Sequence, residues 1–192
     1  FFHAQDGIPD PLWSRGLGDV YKRQVKSKGL TYQKHMTHHI IDKDYSWMNP
    51  LTNCFLIRNP MDMIISYSKV HSDLNMHLLG LNDQHEIFNY VRKITNQIPP
   101  VVDSKDILLN PRDILSKLCT KIDVVFSEEM LSWSKGKRET DGIWADYWYK
   151  NVINSTGFNI YKEKEEEVPS KYLDLYEDCS KIYDELSKHK IT

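Results

Sequence analysis

The apolar positions of this chain change spacing several times, and each change marks a short strand giving way to an amphipathic helix. Leu51 to Arg58 reads as the best strand, since Phe55-Leu56-Ile57 is the continuous apolar run of a buried parallel strand. Asn59 then offers an N-cap, and Pro60 a first helical residue whose missing N–H costs nothing. A helix is therefore predicted from Pro60 to about His71. Ser72 to Asn82, with Gly80, reads as loop. Asp83 to about Asn96 reads as a helix with Ile87, Tyr90, Val91 and Ile94 on its apolar face. Pro99-Pro100 break the chain before a second buried strand, Val101-Val102-Asp103. Asn110-Pro111 repeats the cap and start of the first helix, with Ile114, Leu115, Leu118, Cys119 and Ile122 as the stripe. Ser127-Glu128-Glu129 begins a short helix, Asp141 to about Asn154 reads as an aromatic-rich one, and Lys162 to Glu167 as a charged linker. Ser170 to about His189 carries Tyr172, Leu175, Tyr176, Cys179, Ile182, Tyr183 and Leu186 at helical spacing. Leu30 to His35 fits a further short strand, followed by a His-rich loop through Pro50. Strands alternating with helices predict an α/β fold around a parallel sheet.

Within that frame Arg58 falls at the carboxyl edge of the sheet beside a helix N-terminus, which is where open α/β folds bind anions. Ser66 follows two turns into the helix, on the face of Asp62. An arginine fork donates two parallel bonds to a phosphate. The same residues also suit a strand-end arginine paired with a surface carboxylate and a serine bonded back to its own helix. Lys34-His35-Met36-Thr37-His38-His39 holds a candidate general base, because a neutral imidazole can take a hydroxyl proton while a neighbouring lysine offsets developing negative charge. His38 is the reserve base. His-x-x-His-His also has ligand-like spacing, but no Asp, Glu or Cys pattern supports a metal, and none is expected. Trp133, Trp144, Tyr147, Trp148 and Tyr149 read either as core packing along one helix or as a stacking platform.

Residues 1–24 read as foreign to the fold. Ser14 to Gln24 matches a translated transposon-type sequencing adapter, and Ala4 to Asp10 its upstream part, so the reading frame is expected to be cut at its 5′ end. The domain assignment is therefore a non-native segment over residues 1–24, expected to be peripheral, and a partial domain over residues 25–192. With or without the leading segment the formal charge is −2, which gives no support to a nucleic-acid or anionic-membrane partner. No apolar run approaches the ~20 residues of a membrane helix. Cys54, Cys119 and Cys179 are far apart in apolar patterns, which suits reduced, buried thiols and a cytoplasmic protein.

The pattern R-N-P-x-x-x-x-x-S-Y at Arg58 to Tyr67 resembles the 3′-phosphate motif of the sulfotransferases that use 3′-phosphoadenylyl sulfate (PAPS). The resemblance implies that Arg58 and Ser66 grip the 3′-phosphate of the donor. Lys137-Arg138, followed by Gly142 and Trp144, is similar to that family's second 3′-phosphate motif, with Glu139 in place of its glycine. Leu131-Ser132-Trp133, Asp141 to Ala145, Trp148-Tyr149, Val152 and Ser155 to Phe158 resemble the C-terminal half of a sulfotransferase-like family found mainly in bacteria. The same family shows segments like Gln33 to Met36 and Pro100 to Asp103, so the resemblance covers most of residues 30–160. By the resemblance, His35 is the general base and Lys34 its charge partner. Residues 25–192 contain no G-x-x-x-x-G-K-[ST] loop, and Gly29, Gly80, Gly136, Gly142 and Gly157 are scattered. In the family that loop lies upstream of the His segment.

These readings imply a three-layer parallel-sheet fold of the P-loop NTPase-like sulfotransferase type, lacking its first strand, loop and helix and ending in a helical part. The implied reaction is sulfuryl transfer from PAPS, as co-substrate, to a hydroxyl or amine of a small-molecule or carbohydrate acceptor. The parent would be an enzyme, and the chain as given is expected to be inactive. Two alternatives stay open: a non-catalytic nucleotide-binding or interaction module of the same fold, and a P-loop kinase-like phosphotransferase.

Overall fold

A computed structural model describes residues 30, 32–37, 40, 43–138, 150–163 and 165–192. The chain forms two compact units, Met36–Phe126 with Ile160–Thr192, and Phe1–His35 with Ser127–Asn159. The leading segment, with its expected peripheral placement, lies outside the described residues.

The larger unit is a mixed α/β structure built on a small parallel sheet. Strand β1, Phe55–Ile57, pairs with β2, Val101–Asp103, in the register Phe55 to Val101, Leu56 to Val102 and Ile57 to Asp103. β2 is buried at all three positions, as its apolar run predicts. β1 is shorter than predicted. The Asn53 amide donates to the carbonyls of Met48 and Leu51, both at 3.0 Å, and holds residues 48–53 in a loop. On the other side of β2, Lys190 bridges Val101 in parallel, and Ile191 N donates to Val101 O at 2.8 Å.

Helix α1, Pro60–Ser68, starts where the Asn-Pro pair predicts, with Asn59 Oδ1 accepting from Met61 N at 2.9 Å. It ends before His71 because Val70 and His71 both turn their N–H groups to Tyr67 O. The segment read as loop contains a helical turn, α2, Met76–Leu79, capped by Asn75. Gly80 closes α2 at φ 68° and opens α3, Leu81–Thr95, so the two helices share one left-handed residue. A β-carbon is costly in that conformation.

On α3 the buried face is Leu81, Ile87, Phe88 and Val91. Ile94, read as a core position, is 39% exposed, and the Tyr90 hydroxyl donates outward to Asn49 Oδ1. Phe88 takes the core place, edge-on to Phe55 at 5.5 Å. After β2 the chain makes two helices where one was predicted, α4, Ser104–Leu109, and α5, Pro111–Lys121. Asp103 ends the strand and caps α4 at once, accepting from Lys105 N at 2.8 Å.

Residues Ser170–Tyr172 form a 3-10 turn leading into α6, Leu173–Ser187, which packs against α1, α3 and both strands. Its apolar spacing is the one read in the sequence. Tyr172 and Cys179 join Ile64, Leu74, Leu79 and Leu81 in one core cluster, and Leu186 is fully buried. All three cysteines are unbridged. Cys119 and Cys179 are buried as expected, but Cys54 is exposed. It shares a strand face with Leu56, which is 55% exposed, and with Arg58, while Phe55 and Ile57 point into the core.

In the smaller unit Ser132 bridges Gly157 in antiparallel fashion, and Trp133 N donates to Thr156 O at 3.0 Å. The short helix after Ser127 is a 3-10 turn, Glu128–Leu131. The strand read over residues 30–35 does not form at the described positions, which are irregular. A strand needs a partner ladder, and none reaches residues 32–36. Of the aromatic-rich helix, only the turn Lys150–Ile153 lies among the described residues. No helix among the described residues is long and apolar enough to cross a membrane.

Asn59→Ala should cost about 1 kcal/mol of stability in urea unfolding, the usual worth of a lost N-cap. An unchanged midpoint would mean that Pro60 alone fixes the start of α1.

Candidate functional site

Arg58 is the first residue past β1 and is exposed. Its neighbour across the sheet edge is the turn that follows Asp103, since Ile57 pairs with Asp103. Arg58 forms no ion pair with the described residues, so the surface carboxylate that a structural role requires is not among them.

Ser66 lies in the last turns of α1 and is half-buried. Other hydroxyls on these helices bond back to their own backbone: Ser68 to Ile65 O at 3.1 Å, Thr95 to Val91 O at 2.8 Å and Thr120 to Ser116 O at 3.0 Å. Ser66 makes no such bond among the described residues. Its hydroxyl can therefore give its proton to a ligand without breaking a helix contact. The first turn of the same helix already has its own partners for its N–H groups and its dipole. Asn59 already caps it, and Asp62 is buried there. An anion held by Arg58 and Ser66 is thus bound by side chains more than by the helix N–H groups.

Lys34 and His35 belong to the smaller unit, as do Lys137 and Arg138. Lys34 is exposed and His35 half-buried. His35 Nε2 lies 3.0 Å from Gln33 Oε1, which accepts from the ring in the tautomer protonated at Nε2. Burial holds the imidazole pKa below its usual 6.5. His35 is thus neutral at pH 7, the state a general base needs. The sign also fixes its effect on stability. A depressed folded-state value favours folding above pH 6.5 and loses that contribution as pH falls through the folded value. The His35 ring signals in an NMR titration should turn over below pH 6.5; a midpoint at or above that value would contradict the burial. His38, the reserve base, lies outside the described residues.

Lys137 is exposed, Arg138 half-buried, and both make contacts with other groups of the protein. They follow Gly136, which sits at φ 121° and donates its N–H to Ile153 O at 2.9 Å. That bond fixes the chain just before the basic pair. Gly142, Trp144, Tyr147, Trp148 and Tyr149 lie outside the described residues. Trp133 is in a packing role, edge-on to Phe158 at 5.4 Å with its indole N–H on Val152 O. The structure therefore keeps Arg58 with Ser66 in one unit, and Lys34, His35, Lys137 and Arg138 in the other.

The sequence reading missed one group beside Arg58. Asp103 is 1% exposed and accepts from both Lys105 N and the Tyr183 hydroxyl. Its signal was the aspartate closing an apolar strand immediately before a helix, which is the signature of a cap. Among the described residues no group of three or more His, Cys, Asp or Glu has the geometry to hold a metal ion.

A family model described as "Sulfotransferase domain" matches residues 20–185. Two Arabidopsis thaliana proteins are similar to the chain. "Branched-chain-amino-acid aminotransferase-like protein 1" is 31% identical over 164 residues, covering 85% of this chain and 29% of that protein. "Branched-chain-amino-acid aminotransferase-like protein 2" is 31% identical over 134 residues, covering 70% of this chain and 24% of that protein. The chain thus spans about a quarter to three-tenths of the length of these relatives. No solved structure shows significant similarity to the chain. With the family match running through β1, Arg58, Ser66 and the basic pair at Lys137-Arg138, the chain belongs to the sulfotransferase domain family.

Proposed function

We propose that the larger unit carries the 3′-phosphate side of a PAPS site and that the parent protein transfers the sulfuryl group of PAPS to a hydroxyl or amine. The observation that carries this reading is the pair itself: an exposed arginine at the carboxyl edge of a parallel sheet, and, two turns into the next helix, a serine that does not bond back to that helix. Both are the donors that a dianionic phosphate accepts. For the transfer step the reading takes His35 and Lys34, the residues that the family resemblance assigns to it. In the transfer, the acceptor oxygen or nitrogen bonds to sulfur while the bond from sulfur to the bridging phosphate oxygen breaks. His35 takes the acceptor proton, and Lys34 offsets charge on the departing oxygen. Adenosine 3′,5′-bisphosphate leaves. Lys137 and Arg138 would add charge to the 3′-phosphate, and the acceptor would be a small molecule or carbohydrate. The three-layer P-loop-type sheet belongs to the same reading.

The aminotransferase-like wording belongs to plant proteins more than three times as long as the part matched here. The sulfotransferase domain describes the matched part, and the reading follows it.

The test is calorimetric titration with adenosine 3′,5′-bisphosphate, adenosine 5′-phosphate and ATP. The reading expects binding that depends on the 3′-phosphate. Equal affinity for the first two ligands would remove it, and a preference for ATP would favour a kinase-like protein.

A further inference from the structure

Among the described residues, 160–163 and 165–168 of the larger unit are irregular and rich in glutamate, and two of their carboxylates reach lysines elsewhere in that unit. Glu163 Oε1 lies 3.3 Å from Lys105 Nζ, and the ring of Tyr161 sits under the same ammonium at 4.9 Å. Glu166 Oε1 lies 2.7 Å from Lys69 Nζ. The two lysines occupy particular places. Lys105 is in the first turn of α4, two residues past Asp103, and Asp103 pairs with Ile57, the residue before Arg58. Arg58 and Lys105 therefore leave adjacent strands, about 4.8 Å apart, at the same sheet edge. Lys69 caps α1 three residues after Ser66, on the same face of the helix. From Glu163 to Glu166 the backbone can span at most about 11 Å. Glu163 thus sits on a cation at the Arg58 edge of the sheet, and Glu166 on a cation at the Ser66 end of α1.

We propose that this strap is a built-in competitor for the anionic ligand of the Arg58–Ser66 site. A phosphate arriving there draws Lys105 and Lys69 away from Glu163 and Glu166. The strap lifts, and the two ammonium groups join the site. The ion pairs suit a gate of this kind because they are weak. Their side chains are 40% to 78% exposed, so water and salt screen them and an incoming dianion can outbid a single carboxylate. The proposal rests on the phosphate reading of Arg58 and Ser66, and extends it to how the site is regulated.

The experiment compares the full chain with its Glu163→Gln/Glu166→Gln form, titrating adenosine 3′,5′-bisphosphate at low and at high salt. The double variant should bind about three- to tenfold more tightly at low salt, the scale of two exposed pairs, with the gap closing at high salt. In the unaltered chain, amide hydrogen exchange over residues 161–168 should quicken when the ligand is bound. Equal or weaker binding by the double variant, with exchange unchanged, overturns the strap proposal. If Arg58→Ala still weakens binding in that case, the phosphate site stands without it. Absence of 3′-phosphate-dependent binding in both forms overturns the site reading and the strap together. Should the double variant fail to fold, the exchange measurement on the unaltered chain decides alone.

Discussion

Arg58→Ala is expected to weaken binding of adenosine 3′,5′-bisphosphate by about 1.5–3 kcal/mol, roughly 10- to 150-fold in Kd. The figure is that of a hydrogen bond between charged partners. It should appear because the guanidinium lies past the strand end with no carboxylate partner among the described residues to give up first, and exposure to water puts it toward the low end of that range. For the same reason the substitution should leave the fold intact, with an unchanged circular dichroism spectrum and unfolding midpoint. Arg58→Lys should recover only part of the loss, since an ammonium keeps the charge but not the two parallel donors. Adenosine 5′-phosphate serves as the control, because its affinity should hardly move. An unaltered Kd for the bisphosphate in Arg58→Ala would show that the phosphate is held elsewhere.

Asp103→Ala should give the largest loss of stability, about 2–4 kcal/mol in urea unfolding. Two terms add up to it. A Tyr183 hydroxyl left unpaired costs about 1–3 kcal/mol, and the lost cap of α4 about 1 kcal/mol more. Tyr183→Phe should cost less, because the carboxylate keeps its bond from Lys105 N. The two substitutions should be non-additive, as expected for partners in one bond. The phenol also gives a signature in pH. Burial, reinforced by the hydrogen bond to Asp103, raises the Tyr183 pKa. A raised folded-state value means that its contribution is complete below the unfolded value near pH 10 and is lost as pH climbs towards the folded one. Stability should therefore decline above about pH 10 in the unaltered chain and less so in Tyr183→Phe. Additive losses, or identical alkaline profiles, would show that the pair is not coupled.

What could be read from the sequence follows the range of the forces involved. The starts of α1 and α5 were legible because an Asn followed by Pro caps a helix with groups one or two bonds away. β2 was legible because a proline pair precedes it and all its residues are apolar or capping. The errors lie where side chains reach further. Asn53 turned the first half of the β1 segment into a loop through two carbonyls. Gly80 joined two helices where a loop was expected, because one left-handed residue can serve both. On α3 the core claimed Phe88 in place of Ile94, a choice set by Phe55 across the chain. The site divides in the same way. Arg58 and Ser66 are eight residues apart and were paired by local pattern. Asp103 depends on Tyr183, eighty residues later, and no local pattern names that partner.

The contacts of α6 have a bearing on the order of synthesis. Tyr172 donates to Ser72 O, Cys179 meets Met76, Tyr183 holds Asp103, and Ile191 completes the edge of β2. Each joins residues about eighty to a hundred positions apart. A nascent chain that has released residues 43–126 from the ribosome has both strands but no cover for Ile64, Leu79 and Leu81. Those residues must wait, exposed, until residues 172–191 emerge. Loop closure over such distances is slow, so this interval is when the chain most needs a chaperone. Ribosome pausing after residue 126 would lengthen it.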